Sequence, residues 1–193
     1  MRRKSCFRPV GAVIAIATLI ASPAQAAFHL WQIREIYTDA SGTLQFIELF
    51  CPFGGQQFVS GQQIRVSNVA GSQVNTFTLS GNLSSDTTGH AMLLATAAAD
   101  AAGAPTPDYV LPQNFLFSGG GTITFFGANS GSYTVLPTDG VQSRNWGDGN
   151  SPNSPQNFAG QVGTVVPVPE PATWALIGLG SVGLCCLLRR RSA

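Results

Sequence analysis

Short stretches in which hydrophobic and polar residues alternate recur through the middle of the chain. Successive side chains of a strand point to opposite faces, so a two-residue period is typical of a β-strand with one buried face. We therefore predict half-buried strands at four such places. Their hydrophobic members are Ile64 and Val66, Phe77 and Leu79, Ile123 and Phe125, and Tyr133 and Val135.

Two longer runs, 28–37 and 44–50, are apolar at positions of both faces, which predicts strands in the centre of a sheet. Turns rich in Gly and Ser separate the segments, for example 40–42 and 119–121. About eight strands at this spacing predict an all-β fold, an antiparallel β-sandwich. One run, 95–104, contains seven Ala in ten residues and is expected to form a short helix or a mobile loop.

The first 26 residues predict a secretory signal peptide. Four positive charges within 1–8 precede an apolar run of twelve residues, 10–21, and Ala24 and Ala26 supply the small residues that signal peptidase requires. We expect signal peptidase to cleave after Ala26, so that the mature chain begins at Ala27. An uncleaved anchor is the alternative, but this run makes only about 18 Å of helix against a hydrocarbon core of about 30 Å.

The C-terminus predicts a single transmembrane helix. Residues 174–188 carry no charge, and Arg189, Arg190 and Arg191 follow at once. The three Arg can reach the inner headgroups and act as a membrane stop. Just upstream, Pro169 and Pro171 flank Glu170, and both Pro favour an extended backbone that stays outside the helix.

The Pro-Glu-Pro motif, the hydrophobic segment and the Arg cluster together resemble the PEP-CTERM sorting signal of Gram-negative bacteria, which is also catalogued under the C-terminal domain of ice-binding proteins. The resemblance implies that an exosortase, a membrane-embedded cysteine transpeptidase, recognises Pro169, Glu170 and Pro171 and removes the tail. It further implies an inner-membrane intermediate, then delivery to the cell surface or to an extracellular polysaccharide and biofilm matrix. A plain membrane anchor with a Pro-rich stalk is the alternative.

These features predict the domain organisation. Residues 150–171 contain five Pro with many Ser, Asn, Gln and Gly and no apolar periodicity, which is typical of an extended spacer. We therefore expect a signal peptide at 1–26, a folded body at 27–149, a linker at 150–168 and the sorting signal at 169–193.

The charge and the cysteine content of the body limit the kinds of partner that it can have. Residues 27–171 hold three Arg, no Lys and nine acids, which gives a net charge of 3 − 9 = −6 and argues against a nucleic-acid partner. Of the four Cys, only Cys51 lies in the body. We expect Cys51 to be a small buried hydrophobic residue, with an intermolecular bridge as the alternative.

The body has a resemblance of its own, to the lamin-tail domain of bacterial secreted proteins. That domain is an immunoglobulin-like sandwich, and the likeness implies an adhesion or interaction module without catalytic residues. Phe50 and Cys51, and the turn at 59–62, depart from the usual pattern of the family. The segments that carry the likeness are IREIY (33–37), GTLQFIELF (42–50), VSGQQI (59–64) and AMLLAT (91–96).

We predict no catalytic residue, cofactor or metal site in the body. His29 and His90 are expected to be structural, and no G-x-S-x-G elbow occurs. Glu35 and Glu48 could in principle form the carboxylate pair of a glycosidase, but we expect them to be exposed or capped strand residues. Residues 148–150 with Asn153 resemble a fragment of a calcium loop that lacks its closing Glu, so a turn is expected there.

The sequence therefore predicts an exported, non-enzymatic surface or matrix protein whose body makes protein or polysaccharide contacts. One alternative is a carbohydrate-binding module, in which Trp31, Trp146 and Tyr133 would stack on sugar rings if they line one exposed groove. Another is a secreted hydrolase with an unrecognised site.

Overall fold

The computed structural model describes residues 28–167 of the chain. The predicted signal peptide with Ala24, Ala26 and Ala27, the helix at 174–188 and the cluster of Arg189 to Arg191 lie outside the described residues. Between residues 28 and 167, no helix is long and apolar enough to cross a membrane.

The described residues form two sheets and one short helix, which confirms the all-β class. One sheet has six strands in the order β10-β9-β1-β2-β5-β6, and the other has four in the order β4-β3-β7-β8. The elements are β1 (Gln32–Thr38), β2 (Gln45–Cys51), β3 (Gln63–Asn68), β4 (Val74–Thr78), β5 (His90–Thr96), α1 (Ala97–Ala101), β6 (Tyr109–Leu111), β7 (Gly121–Phe125), β8 (Asn129–Tyr133), β9 (Gln142–Asn145) and β10 (Gly149–Pro152).

The alternating stretches form strands because their hydrophobic members can all face one side. Ile64 and Val66 of β3 are fully buried and pair with Phe125 and Ile123 of β7, while Arg65 between them is exposed. The pattern fails at its last member, since Tyr133 closes β8 in the core but Val135 lies beyond the strand and is 71% exposed.

Strands β1 and β2 lie in the middle of the six-stranded sheet, as their two-sided hydrophobic pattern predicts. Ile36 and Ile47 pack in a cluster that also contains Ile64 and Ile123 of the other sheet, so the two sheets share one core. The alternate positions build a second cluster on the opposite face of the six-stranded sheet. It comprises Tyr37, Leu44, Phe46, Leu93, Ala95, Ala99, Ala104 and Val165.

The Ala-rich run forms the helix rather than a loop. Thr96 caps α1 by accepting a hydrogen bond from the Ala99 N–H at 3.2 Å. The helix carries the chain from β5 to β6, which pair in parallel. The expectation of a wholly antiparallel arrangement is wrong at this pair, because a helical crossover returns the chain in its original direction.

The expected linker at 150–168 is folded as far as the structure describes it. Strand β10 pairs with β9, Phe158 is 7% exposed, and Val165 is fully buried in the second cluster. The boundary at residue 149 is therefore wrong, and the body continues to Pro167. A segment rich in Pro, Asn and Ser and without a repeating hydrophobic pattern is typical of a spacer. Such residues nevertheless pack into a fold when the body supplies hydrogen-bond partners for their polar groups.

Candidate functional site

Three carboxylates of the body, two of them buried and one half-buried, hold the residues that lead to the sorting motif. We call residues 153–167 the C-terminal segment and Glu35, Glu48 and Asp108 the acid clamp. The backbone N–H groups of residues 154, 156 and 158 each donate a hydrogen bond to a different member of the clamp. Because alternate residues of an extended chain are oriented alike, the three bonds hold this stretch along one edge. The bonds are Ser154 N to Glu35 Oε1 at 2.9 Å, Gln156 N to Glu48 Oε2 at 2.6 Å, and Phe158 N to Asp108 Oδ2 at 3.0 Å.

The pairing of β1 with β2 places two of these acids side by side. Glu35 and Glu48 are direct cross-strand partners and are at most 1% exposed. Like charges in such positions repel, and buried carboxylates need donors. The register of β1 shifts between Ile33 and Glu35, a local irregularity that can redirect the side chain between them.

That side chain is Arg34, which joins the clamp to the C-terminal segment. Its Nε donates to Glu48 Oε1, and its Nη2 donates to Gln156 Oε1 at 2.9 Å. The guanidinium carbon lies 4.9 Å from the centre of the Phe50 ring, within the range of a cation–π contact. Arg34 therefore supplies a positive charge beside Glu48. It also adds a hydrogen bond to Gln156, whose backbone N–H is bonded to the same Glu48.

Burial dominates the titration of two clamp residues. Loss of solvent raises the pKa of Glu48, although the bond from Arg34 and the N–H of Gln156 act in the opposite direction. Burial likewise raises the pKa of Asp108, against the N–H groups of Leu93 and Phe158. Both carboxyl groups therefore take up a proton more readily in the folded protein than in the unfolded chain.

Asn153 fixes the beginning of the C-terminal segment to its end. Its Nδ2 donates to the carbonyls of Val141 at 2.9 Å and Val165 at 3.1 Å, and its Oδ1 accepts from Val165 N at 2.6 Å. The amide is thus used inside the fold, whereas Asp148 is exposed in the turn between β9 and β10. The two do not form the calcium-loop fragment. In the described part of the chain, no three His, Cys, Asp or Glu side chains are grouped to hold a metal ion.

The last residues of the segment are attached beside α1. Thr164 N donates to Gly103 O at 3.2 Å, and Val166 N donates to Ala102 O at 2.9 Å. Pro167 packs so closely on Gly140 that a Cβ added there would lie 2.4 Å from the Pro167 ring. The described chain therefore ends at a fixed position on the body.

The aromatic residues considered for sugar binding do not line one groove, so that expectation is corrected. Trp31 is fully buried with its Nε1 bonded to Gln56 O at 2.9 Å, and Tyr133 is 5% exposed. Both rings are needed to fill the core between two sheets rather than being available at a surface. Trp146 alone is half-buried, beside a cavity of about 340 Å³ that Arg34 and Phe50 also line.

The histidines and the paired glutamates contact other parts of the fold. His29 Nδ1 lies 2.6 Å from Gly127 O, and His90 Nδ1 lies 2.9 Å from Phe158 O. Glu35 and Glu48 come together as a carboxylate pair would, but they are buried rather than exposed. Their oxygens accept hydrogen bonds from the C-terminal segment and Arg34.

Asp108 and the whole contact with the C-terminal segment were not predicted from the sequence. The bonds that define the site join residues that are 50, 108 and 119 positions apart. One local signal was available. Phe158 and Val165 are large apolar residues inside the expected spacer, where a solvated linker has no use for them.

Residues 167–191 match the family model described as the PEP-CTERM protein-sorting motif. The resemblance predicted for the C-terminus is thereby confirmed, and the matched range contains Pro169, Glu170 and Pro171 and begins at the last residue of the C-terminal segment. The chain is thus an exported protein with a folded β-rich body. More particularly, it carries a PEP-CTERM signal, which directs exosortase processing and export to the cell envelope or surface. No curated protein and no solved structure matches the chain, so the lamin-tail likeness of the body stays a prediction.

Proposed function

We propose that the protein is a non-enzymatic component of the cell surface or extracellular matrix, delivered by exosortase cleavage at its Pro-Glu-Pro motif. Signal peptidase would remove residues 1–26, and the segment 174–188 with its Arg cluster would hold the precursor in the inner membrane. The observation that carries the proposal is the position of the sorting motif. It begins where the C-terminal segment, held by the acid clamp, leaves the body.

The body would act as an interaction module with an immunoglobulin-like sandwich of the lamin-tail type. Support comes from the core that both sheets share and from the surface of the four-stranded sheet. On that surface two pairs of hydroxyl groups face each other across β7 and β8. Thr122 Oγ1 lies 3.2 Å from Ser132 Oγ, and Thr124 Oγ1 lies 2.8 Å from Ser130 Oγ. Such a polar face suits contacts with protein or with polysaccharide.

A carbohydrate-binding module is the second candidate, and the cavity beside Trp146 favours it. A half-buried indole, an Arg side chain and the amide of Gln32 border a space of about 340 Å³, which falls in the size range of small-ligand sites. A glycan array with Trp146→Ala as the comparison would separate this candidate from a purely protein-binding module. A secreted hydrolase gains no comparable support, because Glu35 and Glu48 bond to the fold itself.

Processing can be tested at Glu170 in the native host. Mass spectrometry of membrane and extracellular fractions should find wild-type mature protein without residues 174–193. Glu170→Gln removes the charge of the motif at nearly constant shape and should leave the precursor in the membrane. Asp148→Asn is the matched control, because it removes an exposed carboxylate of the body, and it should be processed normally. Mature wild-type protein that retains residues 174–193 would contradict the proposal.

The Arg cluster should act at another step. Deleting Arg189 to Arg191 removes the membrane stop, so uncleaved protein should escape from the membrane fraction. Cleaved protein in normal amounts from this deletion would show that retention before cleavage does not depend on the cluster.

A further inference from the structure

The sorting motif begins within a short reach of the body when it is cleaved, if the fold stays intact. Pro167 is fixed by its contact with Gly140 and by the preceding bond from Val166 N to Ala102 O. Pro169 follows two residues later, and two residues of fully extended chain span at most about 7 Å. Any enzyme that encloses the motif therefore meets the surface around Pro167.

That surface has the shape of two grooves with Pro167 between them, and we call it the Pro167 surface. One groove has a volume of about 490 Å³ and runs between Asp39, Leu44 and Ala101. The other has a volume of about 320 Å³ and is bordered by Asp139, Val141 and Val166. The chain thus leaves the body between two grooves that a protruding element of another protein can enter.

The charge of the Pro167 surface is set by two carboxylates that hydrogen bonds hold in place. Asp139 Oδ1 accepts from Val141 N at 2.9 Å and Gln142 N at 2.8 Å, and Asp39 Oδ1 accepts from Leu44 N at 2.9 Å. Neither groove is lined by a Lys or Arg among the described residues. Anionic headgroups would be repelled here, so the membrane surface itself is a poor occupant.

We propose that the Pro167 surface is a docking surface for the exosortase, which would present a basic, protruding element to the two grooves. The inference rests on the proposed processing of the motif. It adds that recognition includes the folded body as well as Pro169, Glu170 and Pro171. Electrostatic complementarity between a basic element and Asp39 and Asp139 would orient the precursor for cleavage.

The test is a pulse-chase measurement of precursor and mature protein in the native host, using the full chain. Nine Gly and Ser residues inserted between Pro167 and Val168 separate the motif from the body. Ala101→Arg fills the first groove with a positive side chain at an exposed helix position, where Arg is well tolerated. Both changes should slow conversion to the mature form several-fold. Resistance of the body to protease shows that each variant is folded.

Two matched controls carry the same changes in the β3–β4 turn, which lines neither groove. They are the same insertion between Gly71 and Ser72 and the substitution Val69→Arg, a position that is 77% exposed. Both should be processed at the wild-type rate. Wild-type rates for the insertion after Pro167 and for Ala101→Arg, or faster cleavage after the insertion, would overturn the docking surface. Wild-type cells that never produce mature protein would overturn the proposed function instead.

Discussion

Glu48 on β2 accepts the backbone N–H of Gln156 at 2.6 Å, although 108 positions separate the two residues. The contact links a central strand of the body with the segment that leads to the sorting motif. Hydrogen bonds to charged groups are stronger than neutral ones, and a buried carboxylate without donors is costly. The body and the C-terminal segment therefore depend on each other for stability.

Replacing Glu48 with Ala should destabilise the protein that spans residues 27–167. The change leaves the N–H of Gln156 and the guanidinium of Arg34 without their acceptor, at a cost of about 2 to 4 kcal/mol in the free energy of unfolding. Urea denaturation followed by circular dichroism measures the loss. Asp148→Ala, at an exposed turn, should change stability by less than about 0.5 kcal/mol. Equal stability of the two variants would show that the acid clamp contributes little.

Stability should rise as the pH is lowered from 7 toward 4.5. Burial raises the pKa of Glu48 and Asp108 above their ordinary values of 4.5 and 3.8. The folded state therefore binds protons at a higher pH than the unfolded state does. The contribution of the two carboxyl groups to stability is fully present below their ordinary pKa values, and it is lost as the pH rises through their pKa values in the folded protein. Asp108→Asn should flatten this slope, because it removes one of the two groups at nearly constant shape.

The trend should reverse at more acidic pH. Hydrogen bonds from Thr88 and Gly55 lower the pKa of Asp86 from 3.8 to about 2, so its contribution is present above 3.8 and disappears as the pH falls toward 2. A series of urea titrations across this range should therefore show a maximum at mildly acidic pH. A steady decline from pH 7 downward would mean that the clamp carboxylates are not shifted upward.

The strands were predictable because their signal is local. In β3, Ile64 and Val66 alternate with polar neighbours within a few residues, and that pattern is enough to favour one buried face. The central position of β1 and β2 was predictable for the same reason, since only a strand covered on both sides tolerates apolar residues on both faces.

The candidate site was not predictable because its partners are distant in sequence. Nothing near Glu48 indicates that its donors come from Arg34 and Gln156, and without those donors an exposed position is the reasonable expectation for a strand Glu. Trp31 shows the same limit, because an aromatic ring suits a core and a sugar site equally until its neighbours are known.

Cys51 should resist thiol reagents in the folded protein. It is fully buried, with its Sγ 3.1 Å from Phe53 O, and it is the one Cys between residues 28 and 167. A thiol without access to solvent reacts slowly, so labelling should follow unfolding rather than precede it. Labelling in buffer and in concentrated urea measures the difference, and melting should be the same with and without reductant. A reductant-dependent melting shift at high protein concentration would indicate an intermolecular bridge.

The extent of the folded body can be tested by comparing proteins that end at residue 149 and at residue 167. The shorter one lacks Phe158 and Val165, and the burial of each contributes about 1.5 to 3 kcal/mol to stability. It also lacks the N–H groups that donate to three carboxylates, and each of these hydrogen bonds contributes about 1.5 to 3 kcal/mol. Together these losses are comparable to the whole stability of an ordinary domain, about 5 to 15 kcal/mol. Residues 27–149 should therefore lose cooperative unfolding, while residues 27–167 should show a single thermal transition with a β-type circular dichroism spectrum. If both proteins melt cooperatively at the same temperature, the C-terminal segment is a separate spacer after all and does not fix the sorting motif to the body.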